Sequence, residues 1–382
     1  MTDVGTDNRD TQTSQSRIPA DAEYWLALGR LPGIGRATYL KLIETYQSPR
    51  VAWEHSDSDW KDAGATRGEI NAASARGEAL AWARTQIDKL AKSKWSLVVY
   101  GSEGYPHRLA SLKYPPPYLF MRGSIPDQIG VAVVGSRKSS EYGIRAARMI
   151  SGDLAAAGVM IVSGFARGID RVAHEAALDA KGKTIAVWGA GPDVVYPREN
   201  EELVEPIAES GALITEFAFG AAPEAQNFPV RNRLIAGLSE GVLVVQAREK
   251  SGALLTAQHA LEQGKDVYAV PGEIANPHSA GANELLKAGA QVVTSADDIL
   301  TQLGLQGGPR PKSSDADIAM PMPHLTPVEQ RVFDSLRGST CHVDRLAVSL
   351  QMSAAECAAV LLSLQLKGVV KQAAGNMFVC AR

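Results

Sequence analysis

Residues 131–138 read Val-Ala-Val-Val-Gly-Ser-Arg-Lys, and this stretch decides the fold class. Four apolar residues in a row, three of them valine, are typical of a strand that is buried on both faces of a parallel sheet. The glycine ends the strand, and a serine and two cations follow it directly. Because ligands of open α/β sheets bind at the carboxyl ends of the strands, residues 135–138 form a candidate binding loop.

Short apolar runs alternate with amphipathic segments on both sides of this stretch. Strands are predicted at 96–100, 118–122, 131–135, 159–163, 184–188, 212–216, 241–246, 266–270 and 290–294. Helices are predicted at 143–157, 171–181, 200–210, 231–238, 252–263 and 281–288. This alternation predicts an α/β fold with an extended Rossmann-like, doubly wound parallel sheet.

Composition divides the 382 residues into five segments. These are a polar tail predicted to be disordered (1–20), a helical domain (21–94), the α/β domain (95–304), a linker rich in Pro, Gly and Ser (305–323), and a small final domain (324–382). The final domain has the pattern of three helices followed by a short β-hairpin.

Composition also limits the class of protein. The apolar runs are far shorter than the about 20 residues of a membrane span, and the polar N-terminus lacks the apolar core of a signal peptide. The three cysteines (Cys341, Cys357 and Cys380) lack the spacing of metal ligands, and they are expected to be reduced thiols. We therefore expect a cytoplasmic protein without membrane insertion, metal or cofactor.

Cationic side chains follow five of the predicted strands. Residues 131–300 contain 15 Lys and Arg against 21 Asp and Glu, so the domain is acidic, although eight of its 15 cations follow strand ends. These cations are Arg137, Lys138, Arg167, Arg198, Arg231, Arg233, Arg248 and Lys250. Because the whole chain has a net charge of −3, any contact with nucleic acid has to come from such a local patch.

Arginine forks bind phosphate oxygens, and backbone N–H groups at glycines and helix N-termini add to such a site. Phe165, Phe228 and Tyr196 offer surfaces for base stacking, each worth about 1–3 kcal/mol. The predicted DNA-binding residues are Gly135, Ser136, Arg137, Lys138, Gly164, Phe165, Arg167, Gly168, Arg198, Phe228, Arg231, Asn232, Arg233, Lys250, Ser251 and Gly252.

Structural roles stay open for single members of this set. Any one arginine is explained equally well by pairing with a carboxylate, as Arg171 with Glu175 four residues later. Phe165 and Phe228 also suit core positions, and Asp170 suits a helix cap. Five cationic loops on one edge are harder to explain in this way.

Motifs of catalysis are missing from this edge. The sequence contains no G-x-G-x-x-G fingerprint at residues 135–140 and no Walker A motif, and Ser136 does not lie in a G-x-S-x-G turn. His174 and His259 lie inside predicted helices as packing or surface residues. The edge is therefore predicted to bind a ligand without catalysing a reaction.

A set of segments in the α/β domain resembles the DprA/Smf family, DNA-processing protein A. The matching segments are 134–137, 163–170, 189–200, 227–239, 250–264, 270–272 and 280–283. The resemblance implies an extended Rossmann fold that binds single-stranded DNA as a homodimer, protects incoming DNA, and loads the RecA recombinase during natural transformation. It also implies that Arg137 is a principal phosphate contact in a pocket shaped by Gly135 and Ser136. The further contacts that it implies are Arg167, Arg198, Arg231, Arg233 and Lys250.

Two other functions stay open. A Rossmann-like nucleotide-processing enzyme of the phosphoribohydrolase type carries a Pro-Gly-Gly-x-Gly-Thr loop, whereas residues 246–252 read Gln-Ala-Arg-Glu-Lys-Ser-Gly. A protein scaffold that acts through its flanking domains is the second alternative.

Both flanking domains have recognisable patterns. Residues 31–35, Leu-Pro-Gly-Ile-Gly, resemble a helix-hairpin-helix (SAM-like) turn, in which Gly33, Gly35 and Arg36 are possible additional phosphate contacts. A packing module with a degenerate motif explains them equally well. The final domain resembles a winged helix, but residues 353–367 contain a single basic residue, Lys367. We therefore expect it to contact proteins, such as other DNA-uptake proteins, rather than to read DNA.

Overall fold

The computed structural model describes residues 17–55, 57–62, 75–305, 325–336, 341–367, 369–373 and 377–380. The chain divides into two compact units, residues 1–310 and 311–382. Most of the predicted tail (1–20) and nearly all of the predicted linker (305–323) lie outside the described residues.

Nine strands in the described part of the first unit form one sheet. They are β1 (Ser96–Val99), β2 (Tyr118–Gly123), β3 (Gly130–Gly135), β4 (Met160–Ser163), β5 (Thr184–Val187), β6 (Ala212–Thr215), β7 (Gly241–Gln246), β8 (Asp266–Ala269) and β9 (Gln291–Val292). Their order is β1-β2-β6-β5-β4-β3-β7-β8-β9. The strands from β3 onward are parallel, and β2 pairs antiparallel with both β6 and β1. The predicted extended Rossmann-like sheet is confirmed.

Helices cover both faces of this sheet. One face is packed by Glu141–Ala156, Ile169–Asp179 and Ala296–Gln302. The other face is packed by Asn227–Gly237, Gly252–Glu262 and Ala280–Lys287. Because β3 has β4 on one side and β7 on the other, the strand order reverses at β3. Open α/β sheets bind ligands at such a switch point.

Two helices depart most from their predicted bounds, whereas the other four begin and end within two residues of them. The helix predicted at 231–238 begins four residues earlier, at Asn227, and its first turn holds Pro229, a position where proline is tolerated. The helix predicted at 200–210 is a 3-10 segment, Arg198–Leu203, followed by the α-helix Val204–Ser210. Pro206 explains this break, because its ring would clash with the carbonyl group of Glu202 in a continuous α-helix.

The helical segment near the N-terminus shares its core with the sheet. Its described helices are Ala22–Arg30, Arg36–Tyr46, Pro49–Glu54, Asp57–Asp62 and Arg76–Ala91. Trp25, Tyr39 and Trp60 belong to the same buried cluster as Phe120 and Trp188 of the α/β segment. The two segments therefore pack as one compact unit.

The second unit has the arrangement of a winged helix. Its described elements are the helices Pro327–Ser335, Val343–Leu350 and Ala354–Leu366 and the strands β10 (Cys341–His342), β11 (Val370–Ala373) and β12 (Met377–Cys380). The strands form an antiparallel sheet in the order β10-β12-β11. The helix starts at Thr326 and Ser353 carry capping boxes with Glu329 and Glu356. The three helices and the hairpin predicted for this domain are thus present.

Within the described ranges, no single helix has both the length and the apolarity needed to cross a membrane. The helices Val343–Leu350 and Ala354–Gln365 meet that requirement only as a pair that is bent by 111°.

Candidate nucleic-acid interface

A cavity of about 450 Å³ opens at the carboxyl end of β3, where the strand order reverses. The loops after β3 and β7 and the first turns of Asn227–Gly237 and Gly252–Glu262 form its walls. Its polar and aromatic lining residues are Ser136, Arg137, Lys138, Asp170, Phe228, Arg231, Asn232, Arg248, Lys250, Ser251 and Thr256. The structure therefore brings most of the predicted DNA-binding residues to one concave surface, together with Gly135 and Gly252.

Gln246, the last residue of β7, holds the loop after β3 in place. Its backbone oxygen accepts a hydrogen bond from the Ser136 N–H at 2.7 Å. Its buried side chain bonds Ser140 twice: Oε1 accepts from the backbone N–H at 2.9 Å, and Nε2 donates to Oγ at 2.8 Å. The loop backbone is therefore fixed while the side chains of Arg137 and Lys138 remain exposed.

Three exposed cations of this cavity are available to a ligand. Among the described residues, Arg137, Lys138 and Lys250 make no ion pair with a carboxylate. The guanidinium carbon of Arg137 lies 4.8 Å from the centre of the Phe228 ring. A fourth cation, Arg248, lies with Nη2 3.0 Å from Nε2 of His278. Unpaired, solvated cations around one concavity are the arrangement that binds phosphate groups.

Arg231 lies on the floor of the cavity and is only 3% exposed. Its Nη1 donates to the backbone oxygens of Gly164 (2.6 Å) and Val187. Gly164 follows β4, and Val187 is the last residue of β5. Burial lowers the pKa of Arg231 to about 10, against the opposing effect of the nearby Asp170. Most of its donor capacity is therefore used inside the protein, and its predicted phosphate contact stays a prediction.

Asp170 is the buried acid beside this arginine. Its Oδ2 accepts hydrogen bonds from the backbone N–H groups of Gly164 (3.1 Å) and Ala166 (3.4 Å). Burial raises the pKa of the carboxyl group, and Arg231 opposes this rise most strongly. Asp170 therefore holds the loop after β4 to the start of the helix Ile169–Asp179.

The ring of Phe165 lies in the core. Only 1% of the residue is exposed, and the ring centre lies 5.3 Å from that of Trp188. Its backbone oxygen accepts a hydrogen bond from Nδ2 of the buried Asn200 at 2.9 Å. The ring therefore has no face for a nucleobase, and the predicted stacking role of Phe165 is wrong.

Three predicted cationic contacts are paired with carboxylates. Arg167 Nη2 donates to Glu199 Oε2 at 2.9 Å at the edge of an adjoining cavity of about 150 Å³. Arg233, whose side chain is 13% exposed, pairs with Glu216, and Arg36 Nη2 lies 3.5 Å from the same carboxylate. Arg233 and Arg36 thus converge on Glu216 instead of lining the large cavity. The predicted contact Arg198 is exposed on its 3-10 segment and also lies outside that lining.

The helix-hairpin-helix pattern forms the expected turn. Gly33 adopts φ +81° between the helices Ala22–Arg30 and Arg36–Tyr46, and Gly35 is exposed at the start of the second helix. The backbone of this turn could accept a phosphate, whereas Arg36 faces Glu216. The predicted contacts at Gly33, Gly35 and Arg36 remain predictions.

Two glycines of the site are required by close packing. A Cβ on Gly135 would lie 2.6 Å from Ile169 Cγ1, and a Cβ on Gly168, which has φ +73°, would lie 2.3 Å from the Ser136 oxygen. These glycines let the loop after β3 pack against the start of the helix Ile169–Asp179. Gly252 differs, because a Cβ there would meet no atom within 4 Å.

A family model described as DNA recombination-mediator protein A matches residues 96–304, which is more than half of the chain. The chain belongs to the DprA/Smf family. A second model, the DprA winged helix domain, matches residues 316–376.

Relatives of this DprA/Smf family protein match it over most of their length. Protein Smf of Escherichia coli K12 is 41% identical over 291 residues, which cover 73% of this chain and 76% of that protein. Protein Smf of Synechocystis is 30% identical over 411 residues and covers 94% of this chain and 98% of that protein. The X-ray structure of DprA from Streptococcus pneumoniae has a TM-score of 0.63 at 34% identity and covers 73% of this chain and 97% of that one.

Four buried or partly buried polar residues build the site in this DprA/Smf family member without having been predicted as site residues. They are Asp170, Asn200, Glu216 and Gln246. Gln246 ends the apolar strand β7 and Glu216 follows the apolar strand β6, and a polar residue at such a position is the signal by which sequence reasoning would have found them. Asp170 and Asn200 gave no such signal, because a role in helix capping explains each of them from sequence alone. Among the described residues, no group of three His, Cys, Asp or Glu side chains has a metal-binding arrangement.

Proposed function

We propose that this DprA/Smf family member is a DNA-processing protein that binds single-stranded DNA in the cavity at the end of β3. The observation that carries the proposal is the convergence of Arg137, Lys138 and Lys250 there, exposed and without carboxylate partners among the described residues. The first turn of Gly252–Glu262 adds backbone N–H groups and the positive end of a helix dipole.

Aromatic rings beside these cations favour single strands over duplex DNA. Phe228 is half-buried in the cavity wall, and Tyr196 is 41% exposed with its ring centre 5.9 Å away. The faces of bases are accessible to such rings only when the bases are unstacked from their neighbours. Recognition of this kind tolerates any sequence, because every base has an aromatic face.

Fluorescence anisotropy with a labelled dT oligonucleotide and a duplex of equal length tests this proposal. Arg137→Ala is expected to weaken binding of the single strand about 10- to 150-fold, which is the value of a hydrogen bond to a charged group. Arg145→Ala is the matched control, because Arg145 is 71% exposed, pairs with Glu141 and lies outside the cavity lining. Equal affinities of the wild type and Arg137→Ala for the single strand would contradict the proposed site.

We further propose that the protein acts in the cytoplasm as a homodimer that protects incoming DNA and loads the RecA recombinase during natural transformation. The family description as a recombination mediator supports this role, as do relatives named DNA processing protein DprA in Bacillus subtilis and Streptococcus pneumoniae. RecA ATPase activity on DNA coated with a single-strand-binding protein measures loading, and sedimentation measures the dimer. A lag in ATPase activity that the protein does not shorten would contradict the loading role.

A binding role is favoured over a catalytic one. Among the described residues that line the large cavity, Asp170 is the only carboxylate, and it is buried and bonded to two backbone amides. A general acid or base needs to reach the substrate, which this carboxylate does not. Release of free base from nucleoside monophosphates would instead favour a phosphoribohydrolase.

The winged-helix unit is proposed to contact proteins of DNA uptake. Residues 353–367, which contain the third helix of this unit, have one basic residue, Lys367. Its Nζ lies 2.7 Å from Oε2 of Glu329, so this cation is paired and is not presented to DNA. Leu362 on the same helix is 57% exposed. A chain that ends at residue 310 should bind single strands as tightly as the full chain, and a large loss of affinity would assign DNA contacts to this unit.

A further inference from the structure

The loops after β7 and β8 pack against each other beside the large cavity. Gly281, at the start of the helix Ala280–Lys287, donates its N–H to the Ala247 oxygen at 2.8 Å. A Cβ on Gly281 would lie 2.6 Å from the Arg248 oxygen, so the two backbones approach this closely because residue 281 is glycine. The contact brings the side chain of His278, on the loop after β8, to that of Arg248, on the loop after β7.

The loop that carries His278 is held by two other elements. Asn283 accepts from the Gly272 N–H at 3.1 Å through Oδ1 and donates to the Gly272 oxygen at 3.0 Å through Nδ2. The hydroxyl group of Tyr142, on the helix Glu141–Ala156, donates to the Pro271 oxygen at 2.7 Å. His278 is therefore presented to Arg248 by a backbone that is fixed from both faces of the sheet.

The hydrogen bond between Arg248 and His278 requires a neutral imidazole. Nη2 of Arg248 lies 3.0 Å from Nε2 of His278, and a guanidinium group has only donors, so Nε2 accepts and carries no proton. The proton of the neutral ring then lies on Nδ1, which is buried without a partner in the described structure. A proton added at Nε2 removes the acceptor and places a second positive charge beside the arginine.

Other charged groups lie on the elements around His278, and none of them is its partner. Among the described residues, no carboxylate lies within ion-pair distance of His278. Glu284 of the following helix pairs instead with Lys287 at 2.6 Å. Arg248 is therefore the charged group that a proton on His278 meets first. The remaining titratable groups on these elements are Glu273 on the same loop, Glu249 and Lys250 on the loop after β7, and Glu141 and Tyr142 at the start of the helix Glu141–Ala156.

A phosphate group is the ligand that suits the protonated pair. Arg248 is exposed and lines the large cavity, and His278 is half-buried beside it. Two cations at hydrogen-bond distance repel each other, and an anion that accepts from both of them offsets this repulsion. Binding of a proton to His278 and binding of a phosphate to the pair therefore strengthen each other, because such coupling is reciprocal.

We propose that His278 positions Arg248 at the rim of the large cavity and, when protonated, adds a phosphate contact, so that a single strand binds more tightly in mild acid. This inference rests on the proposed function and assigns regulation by pH to the same site. Histidine is the side chain that changes its charge between pH 5 and 8, so the change in affinity falls in this window. Below it, His278 joins the four exposed cations of the cavity as a fifth.

Anisotropy titrations of the full chain with a labelled dT oligonucleotide, at about pH 8 and about pH 5.5, test this inference. Wild-type affinity is expected to be about 3- to 10-fold higher at the lower pH. The slope of log Kobs against log salt should become steeper by about 0.7, the value of one further phosphate contact.

Two variants of His278 separate its charge from its hydrogen bond. His278→Gln keeps an acceptor for Arg248 but gains no charge, so it should lose both changes with pH. His278→Lys carries the charge at both pH values, so at pH 8 it should bind more tightly than the wild type, without a further rise in acid. His259→Gln is the matched control and should keep the wild-type rise, because His259 pairs with Glu262 at 3.0 Å and lies outside the cavity lining.

Different results overturn the proton-dependent contact and the proposed function. An equal rise in His278→Gln and the wild type, or no rise in the wild type, rejects the role of His278, and the DNA site stands if Arg137→Ala weakens binding at both pH values. If Arg137→Ala leaves both affinities unchanged, the DNA site itself is rejected. Thermal melting at both pH values identifies a glutamine variant that has unfolded. His278→Lys then decides, because an affinity at pH 8 no higher than that of the wild type also rejects the role of His278.

Discussion

Arg231 is a charged residue with the burial of a core residue. It connects Gly164 after β4 with Val187 of β5 by donating hydrogen bonds to both of their carbonyl groups. It also lies close enough to Asp170 to oppose the rise of that carboxyl group's pKa. A buried charge of this kind is costly to leave without its partner.

Replacing Arg231 by methionine, which keeps much of the volume, should lower the free energy of unfolding by about 3–5 kcal/mol. The variant leaves the buried Asp170 without the cation that most favours its charged form, and it removes the arginine donor from two carbonyl groups. Urea denaturation measures the change, with Arg145→Met as the exposed control. A loss under about 1 kcal/mol, the usual value of an exposed ion pair, would show that Arg231 is dispensable for folding.

His174 gives the folded state a dependence on pH. The hydroxyl group of Thr184 donates to the Ile161 oxygen at 2.8 Å, so it accepts from Nδ1 of His174 at 2.7 Å. Nε2 is buried without a partner in the described structure. Burial lowers the pKa of His174 to about 3, whereas an unfolded chain has a value of about 6.5. The folded state therefore holds this ring neutral.

Acid should destabilise the protein through this residue. Below about pH 6.5 the unfolded chain binds a proton on His174, whereas the folded chain does not. The free energy of unfolding therefore falls towards pH 3 by up to about 1.4 kcal/mol per pH unit. Urea titrations at pH 6, 5 and 4 measure the slope, which His174→Gln should flatten. Equal slopes in the wild type and the variant would assign the acid sensitivity to carboxyl groups alone.

At the scale of elements, Glu216 joins three parts of the fold. It follows β6, and its carboxylate contacts Arg233 of the helix Asn227–Gly237 and Arg36 of the helix Arg36–Tyr46. Arg233 also donates to the Tyr114 oxygen at 3.0 Å. The first of these helices also carries Phe228 and Arg231, so Glu216 helps to position the wall of the cavity.

Glu216→Gln should therefore weaken binding of single-stranded DNA, about 3- to 10-fold. Electrostatics alone predicts the opposite sign, because removing an acid raises the local potential for phosphates. Anisotropy titrations measure the change, and Glu209→Gln, an exposed acid, is the control. Tighter binding by Glu216→Gln would mean that Glu216 acts as a repelling charge and not as a positioning residue.

At the scale of the whole molecule, the charge of the chain opposes DNA binding. The net charge is −3, so attraction has to come from the four exposed cations that line the large cavity, Arg137, Lys138, Arg248 and Lys250. The excess of acidic side chains over the rest of the chain also limits nonspecific binding of DNA outside this cavity. The salt dependence of binding therefore reports how many phosphate groups these local cations neutralise.

A plot of log Kobs against log salt for a single strand should have a slope of about −3, since each neutralised phosphate contributes about −0.7. Arg137→Ala should reduce the steepness by about 0.7, and Arg145→Ala should leave it unchanged. Binding isotherms between low and physiological salt measure both. A slope near zero would contradict the phosphate contacts and would show that apolar contacts are the source of the affinity.

The fold followed from sequence because its signal is local. Strands buried on both faces read as continuous apolar runs, and each of the nine runs proved to be a strand of the sheet. The cations at strand ends were predictable for the same reason, because the carboxyl ends of parallel strands meet at one edge. Local patterns also indicated the winged helix, through its capping residues and its hairpin.

The sequence alone determined the sheet, the edge that carries the site, and Arg137 with Lys138 at its centre. Only the tertiary structure decided which cations are free. Arg233 is neutralised by a carboxylate 17 residues away, Arg231 is bonded to a carbonyl group 67 residues away, and Phe165 is turned into the core. The physical reason is distance along the chain: pairing and burial depend on partners that strand and helix periods do not encode.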